Sequence, residues 1–181
     1  MIRASIAAFA FALTGTFPLS AQYWVIDTAA SEETAETRVF GQAVAATFAE
    51  FSAEISFDPE DLENARISAR VTSDTGTIPN REYQSALVSR DGLHVAEYSE
   101  AVFVSEEIVA TDEGYEARGT LTIKGESRGA VLPFTVEINN GRAVAQGSLE
   151  IVRAEFGVGG SSWAEVAPTV TVRLHIEADA E

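Results

Sequence analysis

Residues able to do acid–base, nucleophilic or metal chemistry are sparse in this chain, and their spacing points away from catalysis. There are two histidines, His94 and His175, and no cysteine. Neither imidazole has a partner at metal-ligand spacing, and the missing thiols exclude a disulfide, a thiolate metal site and a cysteine nucleophile. Ser161-Ser162 follow Gly159-Gly160, but without the strand–turn–helix context of a nucleophile elbow. The same glycine segment carries no phosphate-loop lysine. Asp58 to Asn64, DPEDLEN, gathers oxygen ligands yet lacks the spacing and the glycine of a calcium loop. The expectation is therefore a non-enzyme with no cofactor and no metal. An esterase- or isomerase-like activity at Ser161 is the weakest reading.

Three polar residues remain as candidates for holding a ligand's head group. Arg153 continues the parity of Leu149 and Ile151, so it is a candidate for the inside, where a lone charge is costly unless Glu155 or a bound polar group pairs with it. The competing reading is a rim arginine facing water. Asn80 and Arg81 open a helical segment, and they are either head-group contacts or an ordinary surface pair at a helix start.

The scaffold around these residues is built mainly of strands. Tyr115, Ala117, Gly119, Leu121 and Ile123 alternate with polar residues, and after a turn containing Gly125 and Glu126 the alternation resumes at Ala130, Leu132, Phe134, Val136 and Ile138. Period-2 alternation is the signature of a half-buried strand, and two such runs across a short glycine turn read as a hairpin. Further strands are expected at Gln22 to Asp27, over Ser31 to Gly41, from Val44 to Phe57, at Ile67 to Val71, at Ala101 to Val104, at Ala143 to Ile151 and at Val170 to Ile176. Apolar parity slips by one residue between Phe48 and Phe51, which predicts a β-bulge that bends the strand. Asn139-Asn140-Gly141 is a hairpin turn signal. Arg81 to Arg90, with Tyr83, Leu87 and Val88 at helical spacing, is the one helix candidate, placed to cap an open end.

About eight one-sided strands predict an all-β, antiparallel eight-stranded barrel with one short capping helix, since closure removes unpaired edges. A two-sheet sandwich is the alternative. Many inward residues are small, namely Ala46, Ala53, Ala69, Ala117, Gly119, Ala143, Ala145 and Gly147. That is too little volume to fill a barrel, so a cavity is expected.

Met1-Ile2-Arg3, the uncharged run Ala4 to Leu13 and the small residues ending at Ala21 have the pattern of a cleaved signal peptide. Residues 1–21 are read as leader and 22–181 as the mature domain, destined for the periplasm. The net charge of −16 argues against nucleic acid as a partner, because phosphate binding needs a basic patch.

YWVID near the mature start, VAATFAEF, FDP, RGTLTIKGESRGAVLPF and RAEFGVGG occur in that order. Together they resemble the YceI-like family over nearly the whole mature chain, most specifically in GTLTIKG followed by Leu132-Pro133-Phe134. The resemblance implies an exported lipocalin-like barrel that holds a polyisoprenoid, such as a quinone tail or prenyl chain, in an elongated apolar cavity. The chain departs from the family pattern at Ala30-Ser31, Ala46, Leu93-His94 and Ser99.

The residues expected to line such a cavity are Phe51, Ile55, Phe57, Val71, Leu121, Ile123, Leu132, Phe134, Leu149, Ile151, Val172 and Leu174, with Phe156 and Trp163 walling its mouth. Alternation alone does not separate a pocket from an ordinary core, so packing is the competing role for each. The leading reading is an exported, non-catalytic carrier of a polyisoprenoid or other long-chain lipid. Its rival is a periplasmic accessory module with a filled barrel serving a membrane redox complex; a membrane-complex partner and a homodimer both stay open.

Overall fold

The computed structural model describes residues 22–160 and 163–181. The expected leader, residues 1–21, and Ser161-Ser162 lie outside the described residues. Eleven strands and one α-helix follow in order: β1 (Tyr23–Ile26), β2 (Glu32–Val39), β3 (Gln42–Phe48), β4 (Phe51–Ser56), β5 (Arg66–Thr72), β6 (Gly76–Thr77), α1 (Arg81–Val88), β7 (Glu100–Thr111), β8 (Gly114–Ile123), β9 (Glu126–Asn139), β10 (Arg142–Val152) and β11 (Thr169–Ala180).

All the pairings are antiparallel, and the sheet closes because β11 bonds to β10 on one edge and to both β1 and β2 on the other. β1 and β2 are the two halves of one bent stave, as are β3 and β4. The β1 half meets β4 and the β2 half meets β3. Counted as staves, the result is a closed eight-stranded antiparallel barrel. The two-residue β6 adds a flap beside β3.

The phase slip foreseen between Phe48 and Phe51 is a full break rather than a bulge. Ala49 and Glu50 leave the ladder, and their neighbourhood is tied instead by Thr72 N–H to the Glu50 carbonyl at 2.9 Å and by Glu50 N–H to Thr75 Oγ1 at 3.2 Å. The stave bends there because its partner stave is itself interrupted at residues 27–31. The bulge sits elsewhere, at Ser105–Glu107 in β7, which makes β7 much longer than the four residues expected from Ala101 to Val104. A bulge changes which parity faces inward, so Phe103 and Ser105 are buried before it and Ile108 after it.

Tight two-residue turns join successive staves at Phe40-Gly41, Lys124-Gly125 and Asn140-Gly141, with φ of 50° and 77°, 51° and 78°, and 51° and 79°. Paired positive φ marks the type I′ turn, which suits the strand twist. Glu126, expected in a turn, is the first residue of β9.

At one end of the barrel, residues 57–65 fold under the staves beside Trp24. The Trp24 indole N–H donates to the Phe57 carbonyl at 2.8 Å, and Phe57 meets Tyr115 edge-on at 5.0 Å between ring centroids. At the other end lies α1. Its first turn is capped by Asn80, whose side-chain oxygen accepts from Glu82 N–H and Tyr83 N–H at 2.9 and 3.1 Å.

Candidate functional site: a two-chamber apolar cavity

The inner faces of the staves do not meet at the barrel axis. Cross-strand register lines up Ala53 with Ala69, Ala69 with Phe103, and Gly147 with Leu174 and Phe134. Small side chains therefore sit between large ones along several staves. Space is left over, and it forms two chambers.

The inner chamber, about 200 Å³, runs toward Trp24. Phe51, Ile55, Phe57, Val71, Leu121, Ile123, Leu132, Phe134, Leu149, Val172 and Leu174 all line it. The helix-side chamber, about 440 Å³, lies beneath α1. Ile151, Phe156, Trp163 and Arg153 line that one, together with Tyr83, Ala86 and Leu87 from α1. Glu33, Val71, Ala101, Ile123 and Val172 belong to both chambers and form a waist between them. Volumes of this order fall within or close to the range of small-molecule sites.

Small inward residues do different jobs. Ala53, Ala69, Ala143, Ala145 and Gly147 border the inner chamber, and Ala46 the helix-side one. Ala117 and Gly119 border neither. Ala117 is fully buried. A Cβ on Gly119 would lie 2.1 Å from the Val104 carbonyl oxygen and 2.7 Å from Ser105 Cα, so this glycine exists to let β8 approach the β7 bulge. Its smallness serves packing and not the cavity.

The three polar candidates separate clearly. Asn80 and Arg81 line neither chamber; Asn80 is the helix cap and Arg81 is exposed. Arg153 does face inward, yet Glu155 is not its partner. Its guanidinium donates to the carbonyls of Ala167, Val158, Trp163 and Val166 at 3.0 to 3.2 Å and lies 5.6 Å from the Trp163 ring centroid. Arg153 thus fastens Val158 and the Trp163-to-Ala167 stretch beside the helix-side chamber, which leaves few donors for a ligand. Lys124, in the β8–β9 turn, ties Gly157 to the segment after α1, with Nζ donating to the Arg90 and Gly157 carbonyls at 2.7 Å each.

The histidines are placed away from both chambers. His94 lies beside Glu97 at 3.4 Å, and His175 Nε2 lies 3.2 Å from Glu177 Oε1. In the acidic loop, Asp58 Oδ1 accepts from Glu60 N–H and Asp61 accepts from Asn64, so these oxygens close turns.

One residue of the cavity carries no apolar alternation that would announce it. The inward set of β2, as its register with β11 defines it, is Glu33, Ala35, Thr37 and Val39: Ala35 pairs with Val172 and Glu33 with Leu174. Burial pushes the Glu33 carboxyl up to about 7 from an ordinary 4.5, and neither a hydrogen bond nor a nearby charge offsets it.

Comparison with known proteins gives a consistent picture. The model of the YceI-like domain matches residues 24–178. A UPF0312 protein of Vibrio parahaemolyticus is 26% identical over 195 residues, covering 97% of this chain and 98% of that protein. The crystal structure of Burkholderia cenocepacia BcnA superposes with a TM-score of 0.79 at 28% identity, covering 84% of this chain and 98% of that one. A domain of Saccharophagus degradans, described as a polyisoprenoid-binding domain implicated in plant cell wall breakdown, shares the fold with a TM-score of 0.67 at 14% identity, covering 87% of this chain and 98% of that one.

Proposed function

Because this chain belongs to the YceI-like domain family, we propose that it is an exported, non-catalytic carrier that holds a polyisoprenoid or other long-chain lipid along its barrel axis. The observation that carries the reading is the pair of apolar chambers that lie end to end inside a closed barrel and share five wall residues. An elongated apolar space favours a flexible hydrocarbon chain over a compact polar metabolite. Burying about twenty methylene-sized units at about 0.8 kcal/mol each gives a gross gain of roughly 16 kcal/mol before ordering costs. Apolar contact is therefore enough for tight binding. The described polyisoprenoid-binding neighbour supports the same ligand class through the shared fold. Export to the periplasm rests on the basic start Met1-Ile2-Arg3 and the uncharged run that follows.

The test is native mass spectrometry, with organic extraction, of the full-length gene product recovered from its own cells. A discrete added mass that extracts as an isoprenoid or long-chain lipid supports the carrier. A bare polypeptide mass under gentle conditions refutes it. The mass of the polypeptide itself reads whether residues 1–21 have been removed.

A further inference from the structure

Glu33 stands where the two chambers meet, and no other ionisable side chain in the described cavity walls is comparably placed. Arg70 borders the inner chamber, but its guanidinium turns outward to Glu100 at 3.6 Å and its side chain is 54% exposed. Glu82 and Glu165 border the helix-side chamber from exposed positions on its rim. Arg153 is occupied by backbone carbonyls. Glu33 alone projects from mid-stave, beside Leu174 on β11 and Phe48 on β3, into an otherwise apolar waist.

Glu33 is half-buried, and an ionised carboxyl largely withdrawn from water among apolar walls costs the empty barrel free energy. An apolar side chain would close the waist without that cost. Glu33 lines both chambers, so its carboxyl borders the ligand space on either side of the waist.

On the reading that this barrel carries a long apolar chain, we propose that Glu33 is its polar subsite and selects chains bearing a hydrogen-bond-donating group, a hydroxyl or an amine, at the level of the waist. The hydrocarbon then fills one chamber while the donor is held by the carboxyl group at its end. The shared requirement is a donor on an otherwise apolar chain; a plain hydrocarbon or an ether of equal length fits the same volume but offers nothing to the ionised, acceptor-only carboxylate. A bond to a carboxylate in a low-dielectric site is among the stronger hydrogen bonds, so discrimination of about tenfold or more is expected.

The test compares a C20 isoprenoid alcohol with its methyl ether, which keeps the chain and the oxygen but removes the donor. Both are titrated into lipid-stripped full-length protein at about pH 9, where Glu33 is ionised and can only accept, and read by native mass spectrometry. The wild-type barrel is expected to prefer the alcohol by about tenfold or more. Glu33→Val is expected to bring the ratio close to one while keeping ether binding, and circular dichroism checks its fold. Glu33→Gln, which keeps an acceptor of the same shape, is expected to retain part of the preference even if the valine variant misfolds. Equal wild-type binding of the two probes overturns the subsite and leaves the carrier intact. Binding of neither probe overturns both.

Discussion

Glu33 on β2 lies directly across the ladder from Leu174 on β11, so a carboxyl and a leucine share the inner wall of the barrel. Burial holds Glu33 near 7, above its ordinary 4.5. Below pH 4.5 the group is neutral in folded and unfolded chains alike and contributes nothing unfavourable. Between 4.5 and about 7 the unfolded chain has released this proton while the folded chain keeps it, so stability falls steadily across that window and the loss is complete once the folded group ionises above 7. Glu33→Gln is therefore expected to stabilise lipid-free protein above pH 7, by about 1–3 kcal/mol, and to have little effect at pH 4. Urea denaturation at the two pH values checks this; an equal effect at both would refute the assignment.

Ala69 faces Phe103 and Ala53 across the ladder and borders the inner chamber. Ala69→Phe fills that space without adding charge, at an overpacking cost of about 1–3 kcal/mol. Co-purifying lipid is expected to fall sharply in this variant. Leu121→Glu and Phe134→Glu should abolish it. Extracted lipid per mole of folded protein is the measurement, and unchanged lipid in all three would place the ligand elsewhere.

Arg142 gathers three carboxylates: Asp27 at 3.1 Å, Glu177 at 2.7 Å and Asp179 at 3.1 Å. Its guanidinium holds the Asp27 and Glu177 carboxyls below the usual carboxylate range. Carboxyls lowered in this way stabilise the fold above their unfolded pKa, and that contribution disappears as pH falls through the folded one. Arg142→Met should lower the melting temperature at pH 7 and have a smaller effect near pH 3. High salt should also shrink the difference, because these groups are exposed enough to be screened.

Arg153 makes four hydrogen bonds to carbonyls, three of them in the span from Trp163 to Ala167. A lysine has three donors on one nitrogen and cannot reproduce the planar fork. Arg153→Lys is expected to loosen the Trp163-to-Ala167 stretch beside the helix-side chamber, speeding amide exchange at Gly159 and Ala167 while the β8–β9 hairpin stays protected. Exchange that rises equally in the hairpin would mean global destabilisation instead.

Much of this barrel is legible in its amino-acid order. Wherever strongly apolar residues alternate with polar ones, as from Tyr115 to Ile123, the pattern alone says which side chains face inward, because a strand has only two faces. The lining residues on β8, β9, β10 and β11 follow from it. Helical spacing of Tyr83, Leu87 and Val88 likewise marks the helix expected over Arg81 to Arg90, which the structure ends at Val88. Legibility fails where the parity is interrupted or uninformative. The bulge at Ser105–Glu107 conceals the second half of β7, and the break at Ala49-Glu50 looks like a bulge when its neighbours are unseen. Gly119 appears as cavity-making smallness, whereas a close backbone approach is its cause.

From its residue order alone the chain is an all-β antiparallel fold with inward apolar faces and an expected internal space, all consequences of period-2 patterning and side-chain volume, whereas closure into a barrel rather than a sandwich comes from the pairing of β11 on both its edges. That Glu33, and not Glu32, faces that space depends on how β2 is paired in the folded barrel. EETAETRV carries no strong apolar phase of its own, so its inner side is set by register against Val172 and Leu174, and a slip of one residue would have turned the carboxyl out to water.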